Sequence, residues 1–408
     1  MSEVSGDPGQ PELTTGRRIQ LHRERRGMSR DALGGLVGRN GRWVKAVERG
    51  EIAEPKLPLL LSIAEALRLR DLAALTGKQT VPVDHLRGPG HPALPEVRSA
   101  VNTLVLPTGE PAPLDRLRTR LDAAWWARHA APDHRTVLGA LLPALIRDAR
   151  HAARAYDGAA RRHAHALLAE VYALSQFYLA YQPAADLLWR VVERSVMAAE
   201  ESEDPRALAR SAWLAAQAHR DSADWDAAET VNREGLELLA QHADTPDPEV
   251  RALWGALHHE VAYTAARAGR AADAWAWWDR ADAIAQALPA DFYEPMTSFS
   301  RVVMGAHATT IAVETRQRGE AVRQATRTAD AEIPSAPRRG RHLVEVARAW
   351  EIAGDRTAVV GTLDQAYRAA PETVRYNGYA RRMALSAASE PGSQQRPARA
   401  LVDRIVLT

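Results

Sequence analysis

The stretch GMSRDALGGLVGRNGRWVKAVERGEIAEP, Gly27 to Pro55, decides how the chain is read. Ser29 and Asn40 are short polar residues placed to cap two successive helices. Gly38 supplies the turn between those helices and Gly50 stops the second. Leu33 and Leu36 are expected to anchor the first helix, and Val44 and Val47 the second. Arg42, Trp43, Lys45 and Ala46 then face outward. A tryptophan between cations on a short polar helix implies a surface for it to touch.

Around this stretch the punctuation continues. TTGRRIQLHRERRG has a threonine cap and a glycine stop, and LLLSIAEAL carries Leu60, Ile63, Ala64 and Leu67 at helical spacing. Thr14 to Thr80 contains 14 Lys+Arg against 7 Asp+Glu, although the whole chain of 408 residues carries only +2. A basic N-terminal block on a near-neutral body is the asymmetry of a domain that meets a polyanion. The absence of cysteine removes disulfides, thiol nucleophiles and cysteine metal sites. No apolar run is long enough for a membrane span, and the expected location is cytoplasmic, at the nucleoid when DNA-bound.

Residues 1–13 read as a disordered lead-in and 14–76 as the basic helical domain. Residues 77–113, with seven prolines, read as a linker carrying one short helix near Glu96–Leu104. From 114 to 390 the pattern is of Ala-rich helices in pairs, and 391–408 reads as a C-terminal tail. The small residues Ala173, Ala216, Ala262 and Ala347 recur in first helices. Aligned on Ala185, Ala228, Ala274, Ala321 and Val359 in second helices, the repeat spacing is 43, 46, 47 and 38. Small residues let two helices cross closely, so the expected fold is all-α, with a tetratricopeptide-like (TPR-like) solenoid after a five-helix head.

The opening stretch resembles the Xre-type helix-turn-helix family. Gly27-Met28-Ser29 stands for its Gly-Leu-Ser start, Gly38 for its turn, Glu48-Arg49-Gly50 for its helix end, and Ile63 to Leu67 for its IAEAL helix. The chain departs from that pattern at Trp43, where the family has a small Ser or Thr, and at Arg39, where it has an apolar residue. The resemblance implies a lambda-repressor-like domain contacting double-stranded DNA through Arg30, Arg39, Asn40, Gly41, Arg42, Trp43, Lys45 and Arg49. Arg42 is suited to fork onto guanine, and Lys45 and Arg39 to meet phosphate. The arrangement as a whole is similar to the peptide-responsive regulators of Gram-positive bacteria, in which such a head precedes a TPR sensor. That family clamps peptide backbone with inner asparagines, whereas this solenoid has only Asn232 and Asn377, both off the projected inner stripe.

The repeat frame projects Arg210, Trp213, Gln217 and Arg220 onto the concave face, beside His259, Tyr263 and Arg267. With no acid projected nearer than Glu170 or Asp221, this ligand-binding stripe is expected to be electropositive and to favour a peptide or small acidic ligand. No phosphate-binding glycine loop, nucleophile elbow or paired metal histidines occur, so neither an enzyme, a cofactor nor a metal is expected. The expected function is a DNA-binding transcriptional regulator, acting as a homodimer, whose solenoid senses a ligand. The alternative is a constitutive repressor whose solenoid only dimerises or binds a protein.

Overall fold

The computed structural model describes residues 14–52, 55, 57–67, 69, 72–76, 90–104, 109–222, 224–240, 246–328, 330–389 and 392–406. The chain divides into two compact units, residues 1–87 and 88–408. All regular structure among the described residues is helical.

The first unit contains α1 (Thr15–Arg25), α2 (Arg30–Leu36), α3 (Gly41–Glu48), α4 (Leu57–Ala66) and α5 (Ala73–Thr76). Thr14, Ser29 and Asn40 accept from backbone N–H groups of the first turns of α1, α2 and α3, respectively. Ile19, Leu33, Val44, Val47, Ile63, Leu67 and Leu75 form one core. Leu36 departs from expectation: it is 63% exposed, and Val37, one turn after Leu33, is buried in its place.

The second unit begins with α6 (Leu94–Asn102), whose Val97, Ala100 and Val101 are buried in the main core. The latter part of the proline-rich stretch therefore belongs to the solenoid, not to a linker. Two antiparallel helices follow, α7 (Leu114–Ala130) and α8 (His134–Ala155). Then come the five pairs: α9 (Gly158–Leu179) with α10 (Ala185–Ser202), α11 (Pro205–Asp221) with α12 (Trp225–Ala240), and α13 (Pro248–Arg267) with α14 (Ala271–Gln286). The last two are α15 (Met304–Glu314) with α16 (Arg318–Arg327), and α17 (Ala336–Ala353) with α18 (Arg356–Ala369). A short α19 (Pro371–Tyr376) precedes α20 (Gly378–Ser389) and α21 (Gln395–Val406). The expected C-terminal tail is thus mostly helix: Ala398, Leu401 and Ile405 of α21 are buried in the terminal cores.

Four second helices place a buried small or β-branched residue at their fourth position: Ala228, Ala274, Ala321 and Val359. The expected fifth, Ala185, is instead the first residue of α10 and is exposed. Leu188, Val192 and Ser195 occupy the equivalent row, because five residues separate α9 from α10 where three separate α11 from α12. Ser195 provides the close crossing, with its hydroxyl 3.0 Å from that of Ser211 on α11.

The solenoid closes on itself. Glu372, at the start of α19, accepts from the backbone N–H groups of Arg135 (2.5 Å) and Thr136 (3.2 Å) and from the Thr136 hydroxyl (2.6 Å), all in the first turn of α8. The α8 N-cap residue, Asp133, makes no side-chain capping bond, so a carboxylate more than 230 residues away does its work. Burial pushes the Glu372 carboxyl up, but hydrogen bonds from His91, Thr136 and the Arg135 N–H outweigh it and hold the group down at about 2. A depressed carboxyl stabilises the fold above its unfolded value, near 4.5, and loses that contribution as pH falls toward 2. Glu372→Gln should therefore cost about 1–2 kcal/mol at pH 6, with the difference from wild type shrinking as pH falls from 4.5 to 2. Urea denaturation at several pH values checks this; a pH-independent difference would remove the carboxylate from the closure.

Candidate functional site

In the head, α2 and α3 cross where Gly41 lies buried against Asp31. A Cβ on Gly41 would fall within van der Waals contact of the Asp31 carboxylate. Gly41 is therefore a packing residue and leaves the exposed face. Asn40 is exposed, yet its Oδ1 is committed to the Trp43 N–H at 2.8 Å. Arg39, Arg42, Lys45 and Arg49 are exposed, and Trp43 is half-buried. One side of the Trp43 ring packs on the core of the head while the Arg39 guanidinium lies 5.8 Å from its centroid. Trp43 thus both anchors α3 and carries a cation over its ring.

Glu48, the first residue of the Glu-Arg-Gly motif, proves to be structural. Its side chain is 1% exposed and meets Arg23 Nε at 2.5 Å and Arg30 Nε at 2.7 Å. Arg23 also donates to the Met28 carbonyl at 2.7 Å, tying α1 to the turn before α2. Hydrogen bonding to Glu48 raises the Arg23 guanidinium against the effect of burial. Arg30, expected at DNA, is 39% exposed and is held by this carboxylate. The three charges fasten α1, α2 and α3 together, and the motif's charge could have signalled this only through its partners.

In the solenoid, the projected stripe is present but its chemistry differs from expectation. Arg210 pairs with Glu249 and lies 3.9 Å from Glu294. Arg220 is buried against Glu260 and lies 4.2 Å over the Tyr263 ring. Arg267 meets Glu314 at 3.6 Å and Asp221 at 3.8 Å. Every one of the three expected free cations therefore has a carboxylate partner, supplied by the neighbouring first helix or the loop before α15. Trp213 and Tyr263 are buried, His259 lies against His307 with ring centroids 3.5 Å apart and the rings tilted by 38°, and Gln217 is half-buried. Of the two asparagines, Asn377 caps α20, and Asn232 is wholly buried in α12 with neither side-chain atom hydrogen-bonded among the described residues.

Residues 287–303, between α14 and α15, fold inward against the first helices. Phe299 packs on Gly255 of α13, and the Pro295 carbonyl accepts from His129 Nε2 at 2.8 Å. Beside this insertion a groove of about 410 Å³ opens, lined in part by Arg118, Trp125, Trp126, His129, Glu170 and Met296. Of the expected ligand-binding residues Arg210 lines it, together with the projected acid Glu170. The 47-residue spacing between Ala274 and Ala321 was the sequence signal for the insertion. Nothing in the spacing showed that it would fill the concave side.

Residues 15–75 match the family described as a helix-turn-helix domain, HTH_31. The head is thus a helix-turn-helix domain, and the remainder is a solenoid of paired helices. No curated protein matches the chain. Among solved structures the chain is similar to BtubC (BKLC) from P. vanneervenii, with 12% identity, a TM-score of 0.36, and 63% of this chain and 91% of that one covered. It is also similar to Bacillus thuringiensis PlcR in complex with the peptide PapR7 and DNA, with 12% identity, a TM-score of 0.37, and coverage of 89% and 99%. ComR from S. thermophilus, in complex with DNA and its signalling peptide ComS, matches with 15% identity, a TM-score of 0.21, and coverage of 64% and 99%. No helix among the described residues is long and apolar enough to cross a membrane.

Glu48→Ala leaves Arg23 buried without its carboxylate and should destabilise the head by about 3–5 kcal/mol. A unit of this size has little stability to spare, so its calorimetric transition should be lost or fall well below that of wild type. The solenoid transition should be unchanged in calorimetry. A head transition within about 1 kcal/mol of wild type would show that the ion cluster does not hold the three helices.

Proposed function

We propose that the chain is a sequence-specific DNA-binding transcriptional regulator whose solenoid is the sensory half. The observation that carries the reading is the outer face of α3. Arg42 and Lys45 are exposed there beside Arg39, on the second helix of a helix-turn-helix, while the opposite face is fixed by Val44, Val47 and Glu48. A rigid helix with cations on one face fits a major groove. Arg42 reads base edges, Lys45 and Arg39 meet phosphate, and Arg49 extends the phosphate contact beyond the helix end. Arg30 contributes from the start of α2 with the part of its side chain that Glu48 leaves free. Paired heads on an inverted repeat, with half-sites about 34–36 Å or a multiple apart, are the arrangement in which a homodimer would bind.

The sensory role is supported by a groove of about 410 Å³ with an aromatic wall, within the size range of small-ligand sites. A purely constitutive repressor would need no such groove. Operator affinity that is identical with and without cell extract would favour that alternative.

Arg42→Ala should cost about 1–3 kcal/mol on a mapped operator and relax preference at one base position. Lys45→Ala should weaken all sequences alike and lower the slope of log affinity against log salt by about 1. Binding by both variants indistinguishable from wild type, measured by fluorescence anisotropy over a salt series, would remove α3 from the interface.

A further inference from the structure

Arginines in the solenoid interior are regularly matched by carboxylates, as Arg118 is by Glu170, Arg220 by Glu260 and Arg348 by Glu345. Buried Arg135 and Arg150 donate instead to backbone carbonyls, and two more arginines turn to imidazoles. Arg128, near the end of α7, has the neutral His129 ring as its polar neighbour, with Nη1 3.3 Å from Nδ1. Its guanidinium otherwise lies over the Phe177 ring at 4.1 Å. Arg338, in the first turn of α17, places Nη2 3.0 Å from His307 Nδ1. In each case an imidazole offers a lone pair but no negative charge.

The neutrality of these rings follows from their bonds and surroundings. The Pro295 carbonyl fixes the proton of His129 on Nε2, leaving the Nδ1 lone pair to accept from the Ser335 hydroxyl at 2.9 Å, with Arg128 Nη1 3.3 and 3.5 Å from the two ring nitrogens. Burial, and then the Arg128 charge, pulls the His129 imidazole down to about 3. Burial likewise lowers His307 and His259 well below their usual value and His342 to about 4. Burial also draws the Arg128 guanidinium down to about 10 and lowers Arg338.

The carboxylates nearby are already engaged. Glu294 accepts from Thr297 N–H and Oγ1 at 2.5 and 2.7 Å, and Glu345 meets Arg341 at 3.0 Å and Arg348 at 2.7 Å. Arg135 adds a further positive charge near Arg128. Several ring nitrogens here lack partners among the described residues: His259 Nδ1 and both nitrogens of His342, which is 1% exposed, while the Tyr293 hydroxyl lies beside Ser298 and Ser335. His342 stands one helical turn beyond Arg338, and Tyr293 meets the His129 ring edge-on at 5.8 Å between centroids. His129 also lines the groove of about 410 Å³, so this region borders the groove.

We propose that the region where α7 meets the first turn of α17 is an oxoanion site, in which Arg128 and Arg338 hold the carboxylate or phosphate of a small molecule and Tyr293 donates to it. The assignment rests on reading the solenoid as the sensory half, and it replaces the stripe around Arg210 as the place where the effector's charge is met. Forked guanidinium donors suit a planar or tetrahedral oxoanion, and a desolvated setting strengthens the contact.

The test uses the full chain in differential scanning calorimetry, titrated with sodium citrate or sodium phosphate against sodium chloride at matched ionic strength. Wild type should show a rise in the solenoid midpoint that follows the logarithm of citrate or phosphate concentration, and none with chloride; which anion acts separates a carboxylate ligand from a phosphate one. Arg128→Gln and Arg338→Gln should abolish that rise, while Arg382→Gln, which removes a guanidinium paired with Glu351 at 2.6 Å, should keep it. The ligand-free midpoints of the two site variants should stand at or above wild type, since each loses a buried charge that no carboxylate hydrogen-bonds. If either glutamine variant fails to fold, Arg128→Lys and Arg338→Lys replace them, and each should weaken anion binding at least tenfold. A rise linear in anion concentration, or one shared by the site variants, overturns the site, because excluded salts stabilise any fold. Operator binding measured without either anion keeps the outcomes apart: intact DNA binding with no logarithmic rise defeats the site alone, and lost DNA binding defeats the function proposed above.

Discussion

The solenoid depends on close crossing of its helices at a few small side chains. Ala228, Ala274 and Ala321 are wholly buried at the same point of their helices, each twelve residues after Ala216, Ala262 and Thr309, which are also wholly buried. Were any of these large, the paired helices would be pushed apart and the rows beyond them would lose register. The bulky residues that follow, such as Trp278 and Leu363, pack in the space these crossings leave toward the next pair. Gly255 takes this furthest, since the Phe299 ring occupies the place a Cβ would need.

Upon that framework the electrostatics are organised by distance along the chain. The ion pairs Arg118–Glu170, Arg210–Glu249 and Arg220–Glu260 each join residues about forty to fifty positions apart, which is one repeat. They tie successive first helices together along the inner side, as buried or half-buried pairs with good hydrogen bonding can. The closure through Glu372 belongs to a different class. It joins α19 to α8 across the whole array, using the unsatisfied N–H groups of a helix start in place of an arginine.

The head was legible because its determinants are local. Caps at Thr14, Ser29 and Asn40 and turn glycines at 27, 38 and 50 act within a few residues of themselves, and the structure shows each in that role. The pairing of the solenoid helices was legible for the same reason, through recurring alanines. What could not be read is long-range or depends on small shifts. A loop longer by two residues displaced the Ala185 register, although the residue types looked equivalent. Arg210, Arg220 and Arg267 seemed unpaired because their carboxylates come from neighbouring helices, whose azimuth a repeat frame fixes only approximately. Leu36 was misassigned by one position, which on a seven-residue helix is enough to exchange core for solvent. The helix at 395–406 was hidden behind a proline, a glycine and a run of polar residues that read as a tail.

Closure changes what the repeats can do together. In an open array each repeat is stabilised by its neighbours alone, and a disturbance at one end decays along the stack. Here α7 and α8 touch α17 and α19, through His129 with Ser335 and Thr136 with Glu372, so the first and last repeats share contacts. A change that separates α7 from α17 must also strain the Glu372 cap, and the inner ion pairs give the intervening repeats little freedom to absorb it alone. The two arginines with imidazole neighbours lie on these two helices, one on each side of the contact. A negative charge placed between them would draw the ends of the array together, whereas their mutual repulsion opposes the same contact. The interior is therefore built so that a single charge between these helices bears on both ends of the array.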